Sequence, residues 1–252
     1  MKNNPLLLKL RRKVWQYKRQ RNFLADYRNR LMSPSYSQEG EDMILRRIFQ
    51  GQDTGFYVDI GAHHPKRYSN TCIFYLQGWR GINIDPAPGT VHTFAASRPR
   101  DITLELAIAA SRKPLTYFMF NEPALNGFSD ELSRNRDGKR QFKIISQKQI
   151  ETVTLAETLD RHLPANQRID FLTVDVEGLD FDVLMSNDWS RYQPTIILAE
   201  DLAAVSGIPS GGTPLTQFLA ERGYVVYAKT VNTLFFRLTS RPLPYEINAQ
   251  LE

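Results

Sequence analysis

The sequence predicts a doubly wound α/β domain: a mostly parallel sheet with helices on both faces, closed by an antiparallel C-terminal hairpin and preceded by a basic helical leader. Three observations predict it. Apolar runs of strand length alternate with stretches of helical spacing through most of the chain, the pattern of repeated strand–helix–strand crossovers. Four of those runs lead directly into Gly61, Asp85, Asp175 or Glu200, residue types suited to the carboxyl ends of parallel strands, where such sheets bind ligands. The last two runs, 224–229 and 233–238, flank Val231-Asn232 with no helical stretch between them, which reads as a hairpin. With 252 residues, 42% hydrophobic and 23% charged, the chain is long enough to bury a core of this kind without staples.

Taken in order, residues 1–34 form the leader and 35–252 the domain. Leu10, Val14, Tyr17, Leu24 and Leu31 share one helical face, interrupted by Arg21 and Arg28. Ten Lys/Arg and one Asp before Met32 give this segment +9 against +5 for the whole chain, so the body carries −4 and is mildly acidic. Packing on its own domain or on a second copy is the leading expectation for the leader, and contact with an anionic membrane surface is the sharper alternative. No nucleic-acid partner is expected, because the body is acidic. No stretch approaches the roughly 20 apolar residues needed to span a bilayer. The four-residue apolar cluster near Met1 is too short for a secretory signal, so the leader is expected to be retained. Cys72 is the single cysteine, which excludes an internal disulfide and fits a reducing compartment. The expected location is cytoplasmic, peripheral to the inner membrane if the leader engages lipid.

Met32-Ser-Pro-Ser35 breaks the leader, and Ser37 then suits the N-cap of a helix whose first turn holds Glu39, Glu41 and Asp42. Strands are predicted at 56–60, 81–85, 102–109, 115–120, 169–174 and 195–199, with helices at 70–77, 91–97, 155–163, 181–185 and 214–222. Residues 121–138 are polar, carry Pro123, Gly127 and Gly138, and are longer than an ordinary connection, which marks a working loop in which Asn121, Asn126 and Ser129 could meet substrate hydroxyls.

At the first strand end, Asp59-Ile-Gly-Ala-His-His-Pro65 has one glycine for close ligand approach, but lacks the later glycines of a dinucleotide fingerprint. The second strand ends in Asp85, 24 residues after Gly61, where an acid can accept from both ribose hydroxyls. Adenosine without a diphosphate fits better than NAD, and S-adenosyl-L-methionine is such a molecule.

Tyr36-Ser-Gln-Glu-Gly-Glu-Asp42, Gly55-Phe-Tyr-Val-Asp-Ile-Gly-Ala-His-His-Pro65, Ser69-Asn-Thr71, Gly78-Trp-Arg-Gly-Ile-Asn-Ile-Asp-Pro86 and Val174-Asp-Val-Glu-Gly178 together resemble the FkbM-type methyltransferase family in order and spacing. The resemblance covers residues 35–201. It implies a Rossmann-like class I fold that uses S-adenosyl-L-methionine to methylate a hydroxyl, commonly on a sugar or polyketide. It further implies that Asp59 and Gly61 line the methionine side of the cofactor and that Asp85 holds the ribose. Ser69, Asn70 and Thr71 would supply polar contacts near the cofactor carboxylate, and Gln38 would roof the pocket. His63 joins this set from the same turn.

Asp175 with Glu177 closes one strand, and Glu200 with Asp201 closes the next. Adjacent parallel strands lie about 4.8 Å apart, so these acids can converge on one hard cation. Asp175, Glu200 and Asp201 are therefore candidate ligands for Mg2+, which would acidify the hydroxyl to be methylated. The alternative is that Asp175 meets the cofactor's amine, Glu177 caps a helix and Glu200-Asp201 are solvated. Candidate bases are Glu177, His64 and His63, with Asp175 beside Glu177 in the catalytic set; His64 is equally suited to stabilising the turn beside Pro65. Two other functions stay open: a cofactor-binding protein without turnover, and a nucleic-acid methyltransferase guided by the leader. The second lacks any Asn-Pro-Pro-Tyr or Asp-Pro-Pro-Tyr segment.

Overall fold

The structure is a computed structural model and describes residues 9, 13–15, 17, 25–29 and 31–249. It divides into two units, Met1–Ser35 and Tyr36–Glu252. In the first, every described residue from 9 to 28 is helical. Leu10, Arg21 and Leu24 of the predicted leader helix lie outside the described residues. Among the described residues no helix is long and apolar enough to cross a membrane.

The second unit opens with α1 (Glu41–Ile48), capped by Gly40 at φ 88°. Ser37 is not the cap: it precedes the helix, and its hydroxyl donates to Asp42 Oδ1 at 2.9 Å. A left-handed turn at Gly40 moves the helix start past it. The chain then winds through β1 (Phe56–Ile60), α2 (Cys72–Leu76), β2 (Arg80–Ile84), α3 (Thr90–Ser97) and β3 (Ile102–Leu104). After an excursion come α5 (Leu155–His162), β8 (Phe171–Val174), α6 (Asp180–Met185), β9 (Ile196–Glu200), α7 (Pro214–Ala220), β10 (Tyr224–Lys229), β11 (Thr233–Leu238) and α8 (Pro244–Ala249).

Seven strands form one sheet in the order β10-β11-β9-β8-β1-β2-β3. From β9 to β3 all neighbours are parallel. β11 pairs antiparallel with both β9 and β10. Strand order reverses between β1 and β8, which makes the carboxyl ends of that pair the expected ligand crevice.

Two cores lie on the two faces. Phe56, Val58, Ile60, Leu172 and Val174 pack with Leu159, Leu184 and Leu219 of α5, α6 and α7. The alternate strand residues Tyr57, Phe171, Ile196 and Leu198 pack with Leu45, Phe74 and Trp79 on the other side. Near-continuous apolar strands follow directly from this two-sided burial.

The excursion departs from expectation. The strand predicted at 102–109 is two: β3 pairs with β2, and β4 (Ala107–Ile108) leaves the main sheet to pair with β7 (Thr152–Val153). β5 (Leu115–Phe120) pairs antiparallel with β6 (Ile144–Ile150) as a separate ribbon. The middle residues of β6 are exposed, so their polar character concealed the strand from periodicity. Between β5 and β6 the polar segment is ordered as a 3-10 turn, Pro123–Leu125, and a helix, α4 (Asp130–Arg136).

Candidate active site

The crevice at the strand-order reversal is a cavity of about 780 Å³, within the range of cofactor sites. Its floor follows the sheet edge: Asp85 after β2, Gly61 after β1, Asp175 after β8 and Glu200 ending β9. Three inter-strand steps separate the first from the last, about 14 Å. Gln38, His63, His64 and Glu177 also line it.

Gly61 is required by geometry. Its φ is 82°, and a Cβ there would lie 1.7 Å from the Asp175 carbonyl oxygen. The glycine lets the ends of β1 and β8 close together, with Gly61 N donating to Ile84 O at 2.9 Å and Asp175 N to Ile60 O at 2.9 Å. Asp85 is held from both sides: His63 N donates to Oδ2 at 2.8 Å and Ala87 N to Oδ1 at 2.8 Å. Burial pushes its carboxyl above the usual range, and those amides oppose the rise. The Thr90 hydroxyl also reaches Oδ1, at 3.5 Å, so Oδ2 is the oxygen that keeps a second lone-pair direction in the cavity Asp85 lines.

The other end of the floor is acidic. Asp175 lines the cavity and is exposed there, and desolvation by the surrounding walls and then the neighbouring Glu200 and Glu177 push its carboxyl well above the ordinary range. Glu200 is pushed up to about 8, by burial first and by Asp180 and Glu177 next, with Arg136 opposing. Glu177, at φ 55°, pairs with Arg136 Nη1 at 2.7 Å. Arg136 comes from α4, and Gly127 lets the segment lie close over Glu177, since a Cβ on it would stand 2.9 Å from Glu177 Cβ. The polar segment therefore folds back across the acidic strand ends and forms the cavity's outer wall with Asn126, Gly127 and Phe128. On the opposite rim Arg67 grips Glu122 through two bonds of 2.8 and 3.0 Å.

Several predicted site residues sit elsewhere. Asp59 points from the pleat of β1 to the side face and accepts from Thr71 Oγ1 at 2.7 Å, while Ser69 bonds the amide of Cys72 at 3.1 Å. Asn70 donates to Thr173 Oγ1 at 3.0 Å. These four support the cavity from behind and do not line it. The pleat explains it, since side chains at the register of Asp59 and Thr173 face the helices, and the crevice floor is made by the last residue of β9 and the residues just beyond β2, β1 and β8. His64 lines the cavity, but its Nδ1 accepts from the amides of Lys66 and Arg67, both at 3.0 Å. A neutral imidazole accepting at Nδ1 carries its proton on Nε2, so the remaining nitrogen is a donor and not a base. Burial and Arg67 lower the His64 pKa and keep it neutral.

The expected magnesium triad does not form. Asp201 turns away, accepting from Ala203 N at 3.1 Å and from the Thr213 hydroxyl, because it caps the short turn after β9. Among the described residues no group of three or more His, Cys, Asp or Glu is arranged to hold a metal ion. Of the loop residues, Asn126 lines the cavity, Asn121 is bonded to the backbone of Gln141 and Lys143, and Ser129 caps α4. Arg136 and Tyr117 are cavity residues that spacing did not single out. For Arg136 the available signal was a cation within a segment already marked as functional.

An adenosine-bearing ligand fits this floor. Asp85 offers carboxylate lone pairs at one end, and the buried His63 Nε2 has no hydrogen-bond partner beside it. No curated protein and no solved structure matches the chain. The methyltransferase FkbM domain model matches residues 59–226, a span running from Asp59 in β1 through all four floor residues to β10. On that match, the chain belongs to the FkbM methyltransferase family.

Proposed function

We propose that the protein is an S-adenosyl-L-methionine-dependent O-methyltransferase acting on a neutral hydroxyl of a saccharide, glycolipid or related natural product. One observation carries this reading: a single cavity holds a nucleoside-suited end at Asp85 and, about 14 Å along the sheet edge, an acid at Glu200 with a pKa near 8. The two strand steps from Asp85 to Asp175, about 10 Å, suit a nucleoside joined to an amino acid, with Glu200 one strand beyond on the acceptor's side. When bound, S-adenosyl-L-methionine supplies an electrophilic methyl on a sulfonium centre.

The chain's own residues bind, orient and move a proton. Asp85 accepts from the ribose hydroxyls chiefly through Oδ2, which the His63 amide alone engages, while Oδ1 is held by Ala87 N and the Thr90 hydroxyl. Asp175, crowded by Glu200 and Glu177, faces an ammonium group readily, because a cation there relieves the carboxylate repulsion. Glu200 takes the acceptor's hydroxyl proton as the oxygen becomes nucleophilic. A base with a pKa near the working pH combines availability with driving force, which favours Glu200 over Glu177, held by Arg136, and over His64. Positioning of the two reactants in the cavity supplies the rest.

Transfer of a labelled methyl group to hydroxyl-rich acceptors tests the reading, with product analysis for an alkali-stable ether. Transfer by the wild type and none by Glu200→Gln, at retained cofactor affinity, supports it. Methyl groups found on nitrogen or carboxyl oxygen contradict it.

A further inference from the structure

Arg98 follows α3 and is 2% exposed, yet it carries a full charge into the protein. Its guanidinium lies over the rings of Phe94 and Tyr75, with centroids at 5.4 and 5.8 Å. Nη2 donates to the Pro65 carbonyl and to Ser69 Oγ at 2.7 Å, and Nη1 donates to Thr71 Oγ1 at 2.8 Å. Thr71 passes the contact on to Asp59, and Asp101 stands 4.0 Å from Nη1. One side chain thus ties down both ends of the segment 65–71. Between those ties lie Arg67 and Tyr68, and just before them His63, all three in the cavity wall. His63 and Tyr68 hold left-handed backbone at φ 48° and 55°, a conformation non-glycine residues keep only when their surroundings impose it. None of the guanidinium's partners lines the cavity.

We infer that Arg98 is the positioning residue of the cofactor wall: by clamping Pro65, Ser69 and Thr71 from behind, it sets the backbone that presents His63 and Tyr68 to the ligand. The inference rests on the proposed cofactor reading for its ligand, but the clamp can be tested without one. A fork is needed, because two nitrogens in one rigid plane together hold Pro65, Ser69 and Thr71, and the single nitrogen of an ammonium cannot occupy both positions.

The experiment compares wild type, Arg98→Lys, Thr71→Val and a control, Leu219→Ala, which removes packing on the far face of the sheet away from the segment. Hydrogen exchange of the 62–71 amides and calorimetric affinity for S-adenosylhomocysteine are measured at a fixed interval below each Tm. The expected result is faster exchange in this segment and affinity weakened about tenfold for Arg98→Lys, the scale on which supporting residues act, with a smaller loss for Thr71→Val. Leu219→Ala should keep wild-type exchange in the segment and wild-type affinity despite its lower Tm. Unchanged exchange, or affinity within about twofold of wild type in Arg98→Lys, overturns the inference. Equal losses in Leu219→Ala overturn it too, since general destabilisation then suffices. If the wild type binds no S-adenosylhomocysteine while Arg98→Lys alone loosens the segment, the cofactor reading fails and the clamp stands.

Discussion

Replacing Glu200 by Gln should stabilise the protein, and the gain should depend on pH in a way fixed by the site. Glu200 is pushed from 4.5 to about 8 by burial and by its carboxylate neighbours. In the unfolded chain it ionises near 4.5, so between 4.5 and 8 the folded state holds a proton that the unfolded state has released. Stability of the wild type therefore falls through that window and levels off above it. The full difference of about three and a half pKa units corresponds to about 5 kcal/mol at 1.36 kcal/mol per unit, a ceiling. Cavity water and relaxation of Asp175 and Asp180 reduce it, and we expect about 2 kcal/mol at pH 9. Gln copies the protonated acid and carries no such penalty. Urea unfolding from pH 4 to 9 reads the effect: the midpoints should coincide near pH 4 and differ by about 1 M in favour of Glu200→Gln at pH 9, given a slope of about 2 kcal/mol/M. A pH-independent gap, or a wild type more stable than the variant at pH 9, would refute the reasoning.

Gly61→Ala should lose cofactor binding and destabilise by about 3 kcal/mol or more, because its Cβ meets the Asp175 carbonyl at 1.7 Å in a left-handed turn; a folded variant with wild-type affinity would contradict this. Arg136→Gln removes the cation that lowers both Glu177 and Glu200, so the alkaline-favoured limb of the pH–rate profile should move up by about one unit, as followed by labelled methyl transfer. His64→Ala should cost about 1 kcal/mol by releasing the Lys66 and Arg67 amides, with turnover retained at saturating substrates. A complete loss of turnover would return His64 to the catalytic set.

The floor of the site was legible because backbone topology decides it. Glycine and acids at the ends of buried apolar runs can only lie at the sheet's carboxyl edge, and Gly61, Asp85, Asp175 and Glu200 all do. Which acids face the cavity was not legible, since it depends on the pleat and on local partners. Asp59 is one residue inside its strand end and turns to Thr71, and Asp201 is one residue beyond Glu200 and turns to Thr213. Periodicity cannot register a shift of one residue at a strand end whose neighbours are all buried. The outer wall was visible as an unusually long polar segment, but α4 and β6 were not. Their stability comes from Ser129 capping, the Arg136–Glu177 pair and pairing with β5, none of which leaves an apolar period.

Calorimetric titration with S-adenosyl-L-methionine and its demethylated product tests the central claim most directly. The account predicts one site per chain with a dissociation constant of micromolar order, about −8 kcal/mol, weakened at least about a hundredfold in Asp85→Ala. Absence of binding by a folded wild-type protein, or undiminished binding in Asp85→Ala, would contradict it.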